Sequence, residues 1–342
     1  MTIGVIGAGA WGTALAQMLA SDGSNVLLWA REAEVASAIN ARHENPVYLP
    51  GIPLSERIEA TSDLAMLGPC PVSLVVAPAQ FLRRVIADLP KTGQDLVLCT
   101  KGIEQGSGRF MHEIAEEAHT GGGIAVVSGP TFAHEVAKGM PTAVTLAATD
   151  AELAQRLAAL IARPTFRPYV STDVAGAEIG GAVKNVLAIA CGVVEGAGLG
   201  QNARAALIAR GFAEMTRFGL AKGARAETLS GLSGLGDLVL TCSSTSSRNF
   251  SLGKGLGEGQ SAADLLSNRV TVAEGASTAP VLREEAHKAG VEMPVVEAVC
   301  TLLEGKASVN EVVSALLSRP LKGGGVVSPP ARLLCLRIGD DV

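Results

Sequence analysis

Residues 2–16 read TIGVIGAGAWGTALA. The stretch opens as a short β-branched run, breaks into glycines and continues as an Ala- and Leu-rich helical pattern. Gly7, Gly9 and Gly12 stand in G-x-G-x-x-G spacing. In such a loop the first glycine permits a tight turn and the second lets the backbone approach a pyrophosphate. The third lets helix and strand pack closely, and the helix N-terminus then faces the phosphates. The same spacing also occurs in plain turns of Gly-rich chains. A strand before it and a helix after it favour dinucleotide binding.

Outward from this loop the pattern alternates. Short β-branched runs lie at 3–6, 26–29, 72–77, 96–100, 124–128 and 143–147, with helical patterns such as 13–21 and 111–119 between most of them. Strands alternating with helices predict an α/β fold with a parallel, doubly wound Rossmann sheet. After about residue 173 helical stretches take over, at 173–196, 203–222, 248–257, 277–289, 294–305 and 309–318. We therefore expect a dinucleotide-binding domain over 1–172 and a mostly α-helical substrate and catalytic domain over 173–321. A Gly- and Pro-rich tail, 322–342, is expected to be loose or partly ordered.

Composition narrows the function. A chain of 342 residues suits about two domains. Its net charge of −5 gives no basic face for nucleic acid. The six cysteines are scattered without a CxxC, and the five histidines show no metal spacing. They fit small buried hydrophobes in a reducing compartment, and no metal is expected. The longest charge-free apolar run, 186–194, is far short of the roughly 20 residues of a membrane span. No signal peptide precedes the first strand, so a cytoplasmic protein without stable membrane insertion is the expectation.

The second strand runs out at Arg31, followed by Glu32. NAD-binding folds often carry an acid there for the ribose 2′-hydroxyl, whereas a guanidinium suits a 2′-phosphate. Arg31 therefore points to NADP(H), with NAD(H) left open. Ligands of such folds bind at the carboxyl ends of the strands. There lie APAQ (77–80), TKGIE (100–104) with Lys101, and SGPTFAHEVAKG (128–139), whose Gly129, Pro130 and Thr131 offer N–H groups and a hydroxyl.

Farther on, GGAVKNVLAIACGVVEG (180–196) is apolar except for Lys184 and Asn185 at its centre. A lysine there either snorkels to water or does chemistry that repays its desolvation. Asp237 stands among Gly and Leu in LSGLGDLVLTC. Ser247, Arg248 and Asn249 open a predicted helix, a setting that suits a phosphate, although Ser247 alone reads as a simple N-cap.

These stretches together resemble the bacterial type of NAD(P)-dependent glycerol-3-phosphate dehydrogenase. GAGAWGTALA, NPVYLPG, CTKGIE, SGPTFAHEVAKGMPTA, EIGGAVKNVLAIACG, LSGLGDLVLTCSSTSSRN and VAEGASTA follow one another in family order, to about residue 320. The resemblance implies reversible reduction of dihydroxyacetone phosphate to sn-glycerol 3-phosphate, feeding glycerophospholipid synthesis. It implies Lys184 as proton acceptor, and Lys101, Gly129, Thr131, Lys184, Asp237, Ser247, Arg248 and Asn249 as substrate contacts. It also implies Gly7, Gly9, Trp11, Gly12, Arg31, Tyr48, Lys101, Ala133, Arg248, Val272 and Glu274 as cofactor contacts. Gly180 and Gly181, a turn before Lys184, are expected to leave room for substrate. Ala10 stands where the family often has Ser, which removes one hydroxyl from the phosphate loop. Oligomeric state stays open, a homodimer included. Two rivals remain: a β-hydroxyacid dehydrogenase of the 6-phosphogluconate type, and a non-catalytic NADP-binding sensor. The first would show a carboxylate clamp in place of Ser-Arg-Asn; the second has no need of Lys184, Lys101 and Asp237 together.

Overall fold

The computed structural model describes residues 1–267 and 273–318. Eight strands form one sheet: β1 Thr2–Ile6, β2 Asn25–Trp29, β3 Ile58–Thr61, β4 Val72–Val75, β5 Asp95–Leu98, β6 Ile124–Ser128, β7 Thr142–Ala147 and β8 Phe166–Ser171, in the order β3-β2-β1-β4-β5-β6-β7-β8. The inner strands are nearly all buried, as a sheet covered on both faces requires. The strand order reverses between β1 and β4, which places the ligand crevice at their carboxyl ends. Around the sheet run helices α1 Ala10–Ala20, α2 Ala33–Arg42, α3 Leu82–Ala87, α4 Met111–Ala118, α5 Ala133–Ala137 and α6 Ala151–Ile161.

The expectation of a wholly parallel sheet needs correction. β7 runs antiparallel to β6. Only the five-residue α5 lies within the connection. Such a helix is about 7.5 Å long, too short to carry the chain back to the other edge before the next strand. Two strands also escaped the sequence reading. β3 (IEAT) is four residues at one edge. β8 (FRPYVS) is the other edge, mostly exposed and interrupted by Pro168, a residue that edges tolerate.

The remaining helices are α7 Val174–Gly196, α8 Gly200–Ala221, α9 Ala226–Ser230, α10 Asp237–Thr241, α11 Arg248–Gly257, α12 Ala262–Ser267, α13 Glu274–Lys288, α14 Pro294–Leu303 and α15 Val309–Leu317. α7 is the axis. Asp173 caps it, its Oδ1 accepting from Gly176 N at 2.9 Å. All residues from 176 to 194 are buried; a helix apolar all round belongs in an interior. By length and composition alone α7 could cross a membrane, yet its most apolar stretch is buried within the protein.

Much of the glycine content is used on α7. A Cβ on Gly192 would come within 2.1 Å of Phe250 O, and one on Gly253 within 1.9 Å of Ile189 O. α7 and α11 therefore cross with backbones nearly touching. That fixes the start of α11, with its Ser-Arg-Asn, against the Lys184 segment.

Candidate active site

The glycine loop is built as a phosphate cradle. Gly7 has φ +116°, a conformation that favours glycine, and its N–H donates to Trp29 O at 3.0 Å. A Cβ on Gly12 would lie 1.8 Å from Gly7 O, whereas one on Gly9 would meet nothing within 4 Å. Gly9 is the N-cap of α1 and supplies no side chain to its first-turn N–H groups. Open space in front of a helix N-terminus fits a pyrophosphate. Asn45, fully buried, donates to Ala8 O (2.9 Å) and Thr13 Oγ1 (2.8 Å) and accepts from Tyr48 N (3.1 Å). It staples the loop to NPVYLPG. Trp11, Tyr48 and Ala133 are partly exposed on the same core. Arg31 and Glu32 sit just beyond β2, ion-paired at 3.0 Å.

A second cluster lies at the carboxyl edge of β5 and β6. Thr100 Oγ1 donates to Ala77 O at 2.7 Å and fixes the turn before Lys101. Lys101 Nζ donates to Asp237 Oδ2 at 2.7 Å and to Gly129 O at 3.3 Å. Thr131 Oγ1 reaches the same carbonyl at 3.3 Å. From α7, Lys184 Nζ donates to Asp237 Oδ1 at 2.5 Å and Thr241 Oγ1 at 3.1 Å. Asp237 is wholly buried, and Lys184 is 6% exposed. Two lysines thus share one buried carboxylate, which leaves net positive charge at the site.

Burial pushes the Lys184 ammonium down, and Lys101 beside it adds to the effect. Asp237 works against both, and the balance lies at about 7. Lys184 can therefore carry or release a proton near neutrality.

The π-helical turn Leu232–Gly236 delivers Asp237. The sequence pattern assigns no helix to this segment or to α10 after it. A Cβ on Gly180 would lie 2.2 Å from Ser233 O; one on Gly181 would lie 3.0 Å from Ser128 Oγ and 3.1 Å from Lys101 Cγ. The pair makes room for the Asp237 turn and the Lys101 stem. We expect Gly180→Ala to cost about 1–3 kcal/mol by overpacking. It should also lower turnover by displacing Asp237, read from a thermal melt and kcat of the same preparation.

Ser247 is the N-cap of α11, its Oγ accepting from Phe250 N at 3.2 Å. Asn249 is committed at both ends: Nδ2 donates to Asn185 Oδ1 (3.0 Å), and Oδ1 accepts from Gly275 N (2.9 Å). It locks α7, α11 and α13 together, a task its sequence position did not reveal. Arg248 is exposed at the helix start. Burial raises the Glu274 carboxyl, while Arg248 and the Ala79 N–H hold it back. Glu274, the first residue of α13, thereby ties that helix to the 77–80 loop. Val272 lies outside the described residues. Asn45 and Thr241 were not foreseen; only the Asn of NPVYLPG carried a signal.

Two family models cover most of the chain: the N-terminus of NAD-dependent glycerol-3-phosphate dehydrogenase over residues 2–154, and its C-terminus over residues 173–314. The chain belongs to the NAD-dependent glycerol-3-phosphate dehydrogenase family. Among family members, a protein of Erythrobacter litoralis named glycerol-3-phosphate dehydrogenase (NAD(P)+) is 66% identical over 320 residues, spanning 94% of this chain and 97% of that one. Another so named, from Caulobacter vibrioides, is 57% identical over 323 residues, 94% and 98% of the two chains. The crystal structure of glycerol-3-phosphate dehydrogenase from Coxiella burnetii matches with TM-score 0.88 and 38% identity, over 93% of this chain and 99% of that one. The family's two-part architecture, an eight-stranded Rossmann-like sheet and a helical half, is the one described above.

Proposed function

We propose that this chain interconverts dihydroxyacetone phosphate and sn-glycerol 3-phosphate with NADP(H) or NAD(H), and that Lys184 is its acid–base. The observation that carries the proposal is the buried Lys101–Asp237–Lys184 cluster at the carboxyl edge of the sheet. Residues 1–172 would hold the dinucleotide, through Gly7, Gly9, Trp11, Gly12, Arg31, Tyr48 and Ala133, with Lys101, Arg248, Val272 and Glu274 closing over it. Residues 173–321 would hold substrate, and 322–342 would be an appended tail.

When bound, the nicotinamide gives or takes the hydride at C2. The protein's own residues do the rest. In the reducing direction Lys184 gives its proton to the carbonyl oxygen as C2 becomes tetrahedral; in oxidation the neutral amine takes that proton back. Asp237 holds Nζ in place. Lys101, Gly129 and Thr131 position the substrate's oxygens. Arg248, at the exposed start of α11 with Ser247 and Asn249, meets the phosphate, where a cation and a helix N-terminus act together. We read the reaction as cytoplasmic and as a supply of glycerol 3-phosphate for glycerophospholipids. A homodimer without stable membrane insertion is the assembly we favour.

The test is NADPH oxidation with dihydroxyacetone phosphate, with phosphate-free dihydroxyacetone as comparison. Rapid turnover of the first and poor turnover of the second is the expected result. Turnover of 6-phosphogluconate instead, or dinucleotide binding with no turnover, would sink the proposal. Charge-assisted bonds contribute about 1.5–3 kcal/mol. Arg248→Ala should therefore lower kcat/KM for the phosphorylated substrate roughly 10- to 100-fold and barely change that for dihydroxyacetone. Equal losses with both would mean that Arg248 acts mainly through the cofactor or the fold and not through the substrate phosphate.

A further inference from the structure

The two residues leaving β2 carry opposite charges, and the structure distinguishes their roles. β2 lies beside β1 with Trp29 opposite Ile6, and Gly7 N donates to Trp29 O. The residues just past Trp29 therefore flank the glycine loop. Ala30 is still buried, its N–H held by Thr61 O at 2.8 Å. Arg31 and Glu32 are the first free to face a ligand. The backbone of Glu32 is held: it is the N-cap of α2, and its carbonyl accepts from Val35 N (3.1 Å) and Ala36 N (3.3 Å). Its side chain is 34% exposed against 74% for Arg31. The recorded hydrogen bonds of the Arg31 side chain, from Nε (3.2 Å) and one Nη (3.0 Å), both fall on Glu32 Oε1. Among the described residues no hydrogen bond reaches Oε2.

We propose that Glu32 is the residue that gives this chain use of NAD(H) beside NADP(H), and that its ion pair with Arg31 is the switch between the two. The inference rests on the dinucleotide reading above. Toward a ribose 2′-hydroxyl, Glu32 offers Oε2 as acceptor while Arg31 stays paired on Oε1. An acid just past the second strand is what such a hydroxyl requires. Toward a 2′-phosphate, Arg31 must turn away from Glu32 and stand between two anions, because Glu32 follows it directly and its backbone begins α2. Glu32 thus helps one cofactor and penalises the other, and Arg31 does the reverse. The groups are exposed, so the effects are moderate and salt-screened.

Dissociation constants for NADPH and NADH, measured by calorimetry on the full-length protein without substrate, test this directly. Glu32→Gln keeps the shape and removes the charge. It should tighten NADPH about two- to fivefold and weaken NADH about two- to fivefold. Arg31→Ala should weaken NADPH and leave NADH nearly unchanged, and added salt should shrink both differences. If Glu32→Gln moves both constants equally, or neither, Glu32 does not discriminate and the inference falls while the dinucleotide reading stands. If the parent protein binds neither dinucleotide, both fall. A thermal melt of each variant guards the comparison; should Glu32→Gln not fold, Arg31→Ala carries the test, and an equal loss of both cofactors in it overturns the switch.

Discussion

Lys184→Met should give a folded protein that binds NADPH as its parent does and turns over roughly 10²–10⁴-fold more slowly, a barrier increase of about 3–5.5 kcal/mol. Methionine fills most of the lysine stem, one heavy atom shorter, and lacks the charge that costs desolvation in a helix buried from 176 to 194. The substitution leaves no orphan, because Asp237 keeps its 2.7 Å ion pair with Lys101. Stability should hold or rise. The glycine loop lies in the other half of the chain, so cofactor affinity should not move. If Lys184 merely threaded its ammonium toward solvent, kcat would stay near the parent value.

Asp237→Asn should do the opposite to stability. The carboxylate accepts from Lys101, Lys184 and Thr241 and is fully buried. Without it Lys101 and Lys184 face each other with no counter-charge until Lys184 gives up its proton, and breaking a buried pair from one side costs up to about 3–5 kcal/mol. A lowered denaturation midpoint is the expected result. Asp237 is also the group that holds the Lys184 pKa up against burial. In the asparagine variant Lys184 should therefore lose its proton at lower pH. Residual activity in the oxidising direction should then persist to more acidic pH than in the parent, although its maximum is lower. A purely structural aspartate would lower the melt and leave the pH profile in place.

What the sequence made legible follows from how local each signal is. The Gly7–Gly9–Gly12 loop, the inner strands and the 248–257 helix are set by residues next to one another, and they lie where the pattern put them. Lys184 was legible because an ammonium in an apolar helix conflicts with its surroundings. The edge strands β3 and β8 were missed because they are short, polar and half-exposed, so alternation is weak. The antiparallel turn of β7 depends on the length of α5, which periodicity does not report. Asp237 drew notice by composition, yet the π-turn that aims it is decided by Gly180 on a distant helix. Asn249 was legible as part of the Ser-Arg-Asn cluster; its bonds to Asn185 and Gly275 were not, because they arise only when three helices meet.

The most direct test of the central claim is the pH dependence of kcat/KM in both directions with the parent enzyme. Reduction consumes a proton, so the ratio of the two directions must fall tenfold per pH unit whatever group is involved. The informative quantity is how that dependence is shared. With Lys184 at about 7, reduction should be flat below that pH and fall above it, while oxidation should rise up to about 7 and then level. A break near the ordinary lysine value of about 10.4, or oxidation flat from pH 5.5 to 8.5 with reduction carrying the whole slope, would contradict it.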